Sequence, residues 1–204
     1  MFLSSRLIIL VSLSTSLFSM GQNSKAILDA QNFQAHLNSE FKNPDTSPLP
    51  MVEIDAFKQL DFFSISEKFM VEASFKRIKK NRSLRFKTTT DRRPKYQKYG
   101  TLTFQVDGRD LTLTVYQSHQ LREKEEYKNH LFVPFTDLSN GETSYGGGRF
   151  LDLELPLKSK IILDFNKTYN PYCAYNHIYS CPIPPRENHL KVFILAGVKA
   201  PKNH

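Results

Sequence analysis

Gly100-Thr101-Leu102-Thr103-Phe104-Gln105-Val106-Asp107-Gly108-Arg109-Asp110-Leu111-Thr112-Leu113-Thr114-Val115-Tyr116-Gln117 is the stretch that decides the fold class. Leu102, Phe104 and Val106 alternate with Thr and Gln. Leu111, Leu113 and Val115 alternate again after Asp107-Gly108. Period two on both sides of an Asp-Gly pair predicts a β-hairpin, because only residues that tolerate positive φ fit the tight turn. Each arm has one apolar face, so the hairpin needs a core to cover it.

Outward from the hairpin the same period recurs. Phe69–Ile78 alternates in part, and Leu84–Thr88 is a second short candidate. Further strands are expected at His130–Phe135, Arg149–Leu155, Lys160–Phe165 and Leu190–Ala196. Leu121–Lys128 is charged and reads as a short helix or a lid-like loop, and Asn140-Gly141 as a turn. Upstream the period changes. Ile27, Leu28, Phe33, Leu37 and Phe41 recur near a spacing of 3.6, which predicts a helix over 24–43 with Ser24 as its N-cap and Pro44 as its stop. The fold class is therefore mainly β: an antiparallel sandwich or partly open barrel with one N-terminal helix packed across an end or face.

The first residues carry a different pattern. Arg6 gives a positive start, Leu7–Phe18 is a run of twelve apolar or small residues, and Ser19-Met20-Gly21 offers small residues for cleavage before Gln22. That is the pattern of a secretory signal peptide. Twelve residues are too few to cross a bilayer core of about 30 Å. Three parts are expected: a signal peptide over 1–21, a helix and connector over 22–48, and a β domain over 49–204. The expected location is periplasmic or secreted, with no stable membrane insertion after cleavage.

About 180 residues then remain, enough for one domain that buries roughly two-thirds of its surface. There is no Trp; 16 Phe and 9 Tyr supply the bulk of a core. The formal charge of +8 becomes +7 without Arg6, so an anionic partner is one reading and a solvated face the other. Much of the charge lies in Lys76-Arg77-Ile78-Lys79-Lys80-Asn81-Arg82 and Asp91-Arg92-Arg93-Pro94-Lys95. An exported protein rarely meets nucleic acid, so none is expected as partner. No cofactor signature is present.

Special residues concentrate in the last third. Tyr145-Gly146-Gly147-Gly148-Arg149-Phe150-Leu151-Asp152, Leu163-Asp164-Phe165-Asn166-Lys167-Thr168-Tyr169-Asn170-Pro171-Tyr172-Cys173-Ala174-Tyr175 and Cys181-Pro182-Ile183-Pro184-Pro185-Arg186-Glu187-Asn188 follow closely, and Ala196-Gly197 comes after. On these residues the chain resembles the DUF1684 family of bacterial and archaeal proteins of unknown function. It departs from the family pattern at Ser144, which separates Glu142-Thr143 from the Tyr-Gly pair, and at Val198, where the family has an acid. The resemblance implies kinship and no particular chemistry.

The residues themselves offer several chemistries. Cys173 and Cys181 are the only cysteines, and in an exported chain a pair so close reads first as a disulfide. Cys173, His177 and Cys181 at regular spacing are the metal alternative, although they match no common zinc framework. Gly146, Gly147 and Gly148 with Arg149 can form an anion cradle, or a tight crossing in which Arg149 pairs inside with Asp152 or Asp164. Ser144 lacks the glycine that precedes a nucleophilic serine by two residues. Asp164 and Glu187 are candidates for an acid/base pair, with turn capping as the plain reading. The expectation carried forward is a ligand-binding or interaction β domain for a small polar or anionic ligand. Tyr145, Gly146, Gly147, Gly148, Arg149, Asn166, Tyr169 and Asn170 would form its site. The alternative is a hydrolase acting on a cell-envelope or scavenged substrate through Asp164 or Glu187. A third reading is structural: the motif block closes a barrel whose edges need covering.

Overall fold

The computed structural model describes residues 9–80 and 83–202. Arg6 of the leader pattern and Arg82 of the basic run lie outside the described residues.

The 100–117 stretch forms the long central hairpin. Strand β3 (Lys95–Val106) and strand β4 (Arg109–Ser118) pair antiparallel, and Asp107 and Gly108 take positive φ values of 52° and 72° at the turn. The other strands are β1 (Met70–Arg77), β2 (Ser83–Arg85), β5 (His130–Phe135), β6 (Arg149–Glu154) and β7 (Lys160–Asp164). Together they make one curled, seven-stranded antiparallel sheet in the order β6-β5-β4-β3-β1-β7, with β2 also paired to β3. The result is a half-barrel. Residues 121–127, expected as a helix or lid, form two short 3₁₀ turns.

The inner face of the sheet carries the main core. Leu102, Phe104, Leu113, Val115, Leu131, Val133 and Leu163 are all buried there. The predicted strand Leu190–Ala196 corrects to an irregular extended segment, outside any ladder, that fills the open seam of the half-barrel. Its period-two pattern is nevertheless real: Leu190, Val192, Ile194 and Ala196 are buried, while Phe193 and Leu195 are exposed. Alternation reports which face is covered. It does not report what the backbone bonds to.

Helix α1 covers Ile9–Lys42, so Ser24 sits inside it and is not its N-cap. The helix ends where expected, two residues before Pro44. A short helix α2 (Met51–Ile54) follows the connector. Leu37 and Phe41 of α1 pack with Leu60, Ala174, Tyr175 and Val198, closing one end of the barrel.

Candidate functional site

The glycine segment and the two-cysteine segment meet. Phe150 and Tyr169 exchange backbone hydrogen bonds of 2.8 and 3.0 Å. Gly148 has a φ of +88°, and a Cβ there would lie 2.6 Å from the Phe135 carbonyl oxygen and 2.7 Å from Pro184. Only glycine fits this crossing. Cys173 and Cys181 are both buried and not joined by a disulfide, with the Cys173 N–H donating to Cys181 Sγ at 3.1 Å. A hydrogen bond between the two thiols brings Cys173 down to about 7, while that same bond and burial push Cys181 up. Tyr145 stands beside them, its hydroxyl pushed up to about 12 by burial and by contact with Cys173. Among the described residues no three His, Cys, Asp or Glu side chains group as metal ligands.

Most polar residues of this neighbourhood face inward and serve the backbone. Arg149 is fully buried. It pairs with Asp137 at 2.8 Å, neither of the two acids expected, and donates to the carbonyls of Ile194 (2.6 Å), Ala196 and Val198. Asp137 also accepts from the backbone N–H groups of Ser139 and Ile194. The guanidinium thus takes the place of a neighbouring strand for the 190–198 segment. Asn188 does the same between β4 and β5: its side chain accepts from Thr114 N–H and donates to the carbonyls of Thr114 and Pro134. Pro134 has no N–H to give, and the two strands share a single register pair, Tyr116 with Phe132. Asn166 bonds both backbone groups of Ser66 at 3.0 Å. Asn170 donates to Tyr175 and to the Lys199 carbonyl. Ser144 is buried in the 137–145 turn, bonded to Ser139 and Asn140.

The two candidate acids share no partner. Asp164 accepts from the backbone and side-chain amides of Asn166, and burial holds its pKa above the usual value. Glu187 lies over the outer face of β3 and β4. Burial works to raise its pKa, but Lys98 at 2.6 Å and the Tyr116 hydroxyl together hold it below the usual value.

That outer face is where functional groups remain accessible. By the alternation of β3 to β6, Tyr96, Lys98, Tyr116, Phe132, Phe150 and Asp152 share it. Phe86, Tyr96, Tyr116, Phe132 and Phe150 form a buried aromatic floor, with ring centroids 4.4 to 5.8 Å apart. Two carboxylates stand on the floor, each about two-fifths exposed. Glu187 receives the Tyr116 hydroxyl and Lys98. Asp152 receives the Tyr169 hydroxyl at 2.7 Å on one oxygen and faces His130 Nε2 at 2.9 Å with the other. The other ring nitrogen of His130 is buried without a partner. Burial, reinforced by the neighbouring carboxylates, pushes the Tyr116 and Tyr169 hydroxyls well up, so both stay protonated donors. Burial also pushes Tyr96 up to about 12. Exposed Tyr172 and Tyr127 flank this shelf.

Of the residues expected in the site, only Tyr169 and Glu187 belong to the shelf. His130 and Asp152 were missed as a pair. The signal was present: a diagonal pair across β5 and β6 follows once Phe132 is set opposite Asp152, but that register is a tertiary fact. Concavities lie elsewhere. One, about 440 Å³, is an open furrow lined by Val71, Glu72, Thr103, Phe104, Gln105 and Asp110. Another, about 220 Å³, lies between residues 49–61 and 198–202, with Tyr175 on its wall.

The chain is similar to known proteins in sequence and in structure. The model of the family described as "Protein of unknown function (DUF1684)" matches residues 55–199. The solution NMR structure of an uncharacterized protein of Haloarcula marismortui is similar at 32% identity and a TM-score of 0.69, over 91% of this chain and 99% of that one. No curated protein matches the chain.

Proposed function

The chain belongs to the DUF1684 family, and on that premise we propose that it is an exported ligand-binding β domain whose binding face is the Asp152–Glu187 shelf. One observation carries the reading. Two carboxylates are each about two-fifths exposed, and each is fixed by a tyrosine hydroxyl and a basic side chain over a rigid aromatic floor. Such groups recognise a polar ligand at little ordering cost, because their rotamers are already locked. Of the motif residues first expected to touch the ligand, Tyr169 lies on this face, while Arg149, Asn166 and Asn170 are buried and bond the backbone.

Export rests on the 1–21 leader pattern. Cleavage before Gln22 would leave the part of α1 that carries Leu37 and Phe41, so the packed end of the helix is kept. In an oxidising compartment Cys173 and Cys181, already in contact, would be joined. Intact mass of the mature protein tests both points: a chain starting at Gln22 and lacking both thiol hydrogens is expected. A start at Met1 with free thiols would remove export and bridge together.

The binding reading is tested by titrating monosaccharides, amino acids and small phosphate esters while following amide NMR shifts. Binders are expected to shift residues of β3 to β6 around Asp152 and Glu187, and to lose at least tenfold in affinity with Asp152→Asn plus Glu187→Gln. A ligand that binds the double variant as tightly, or shifts only residues elsewhere, would sink it.

A further inference from the structure

We propose that the edge formed by residues 85–95 and the 176–183 turn is a docking surface for an anionic phospholipid membrane. The two segments run side by side. The Ile183 N–H donates to the Lys87 carbonyl at 2.9 Å, and the Thr89 N–H to the Cys181 carbonyl at 3.0 Å. The turn carries Ile178, 78% exposed, and Ile183, 45% exposed. Two isoleucines are thus held outward by a backbone that is itself hydrogen-bonded and anchored at the cysteine contact.

The cations beside them are held but not neutralised. Arg92 donates to the Ser180 hydroxyl at 3.1 Å and to its carbonyl at 2.5 Å. Arg93 donates to the carbonyls of Thr90 (2.6 Å) and Arg92 (3.0 Å). Arg85 stands directly opposite Lys95 in the β2–β3 register, a like-charge pairing that destabilises a sheet. Among the described residues none of Arg85, Lys87, Arg92, Arg93 or Lys95 forms an ion pair with a carboxylate. Neutral acceptors fix the three arginines in place, and the arginines and lysines alike keep their charge for an external anion.

The combination selects the partner. Clustered cations alone suit any polyanion. Cations around protruding aliphatic side chains suit phosphate headgroups over hydrocarbon, where both contributions are gained together. A nucleic acid would call for rings as the outermost groups; here Ile178 protrudes furthest, and Tyr179 of the same turn is half-buried against Tyr172. This surface adjoins the shelf, and the inference does not depend on the shelf's having a ligand.

The test is co-sedimentation of the full-length mature protein with phosphatidylcholine vesicles, with and without phosphatidylglycerol, at low and high salt. Binding is expected to the anionic vesicles alone and to fall with salt. Lys87→Gln and Arg93→Gln should each weaken it about fivefold. Ile178→Ser with Ile183→Ser should weaken it further without changing the melting temperature, since both side chains are exposed. Equal binding to neutral vesicles, no binding to either, or anionic binding that is unmoved by the isoleucine changes and matched by heparin would each overturn the membrane assignment.

Discussion

Replacing Arg149 with Met keeps an apolar stem of similar length and removes the guanidinium. The structure sets what is lost. Asp137 would be left buried with no counter-charge, and removing one partner of a buried ion pair costs about 3–5 kcal/mol. The carbonyls of Ile194, Ala196 and Val198 would lose a donor inside the core, each worth about 1 kcal/mol or more. These costs overlap, because the 190–198 segment can shift to recover some bonds. A loss of about 4 kcal/mol is expected, and at about 2–4 °C per kcal/mol for a chain of this size the melting temperature should fall by about 8–16 °C. Urea denaturation and thermal melting followed by circular dichroism measure this directly. Asp137→Asn should also destabilise, since it leaves the guanidinium unpaired. The double variant should be less damaged than the sum of the singles by about 2 kcal/mol, because neither charge is then stranded. An Arg149→Met loss below about 1 kcal/mol, or additivity within about 0.5 kcal/mol, would refute the claim that this pair closes the barrel seam.

Asn188→Ala removes an acceptor for Thr114 N–H and donors to two carbonyls at the thin β4–β5 junction. A loss of about 2–4 kcal/mol is expected in denaturant titrations, with faster amide hydrogen exchange at Thr114. Asp164→Asn is expected to stabilise at neutral pH. Burial raises the folded-state pKa of Asp164, so ionisation costs stability. That cost is absent below the unfolded value of about 3.9 and complete above the folded-state pKa. The gain in melting temperature should therefore be near zero in acid and grow as the pH rises to neutrality. A gain that does not change with pH would contradict it.

The strands were legible because their signal is local. The central hairpin, β1, β5, β6 and β7 can be read from alternation and turn residues alone. The 190–196 segment shows where this stops. Its side chains alternate as in a strand, yet its carbonyls are served by a guanidinium that arrives from β6. No local pattern records such a partner. The site divides in the same way. The density of Gly, Asn, Cys and Pro after Tyr145 marked a specially shaped region, and the two segments do meet there. Whether Arg149 pointed outward to a ligand or inward to a seam depended on Asp137, twelve residues upstream, which had drawn no attention. His130 drew no attention beyond starting a strand, because its partner Asp152 is on another strand.

What the amino-acid sequence determined by itself was the alternating faces, the turn positions and the kinship to a family, since periodicity and glycine conformation act over a few residues. What the tertiary structure alone decided was which polar side chains are consumed in holding the barrel shut and which remain at the surface. Burying a charge or an amide is tolerable only where distant backbone groups happen to supply its hydrogen bonds, and that matching exists only once the chain has folded.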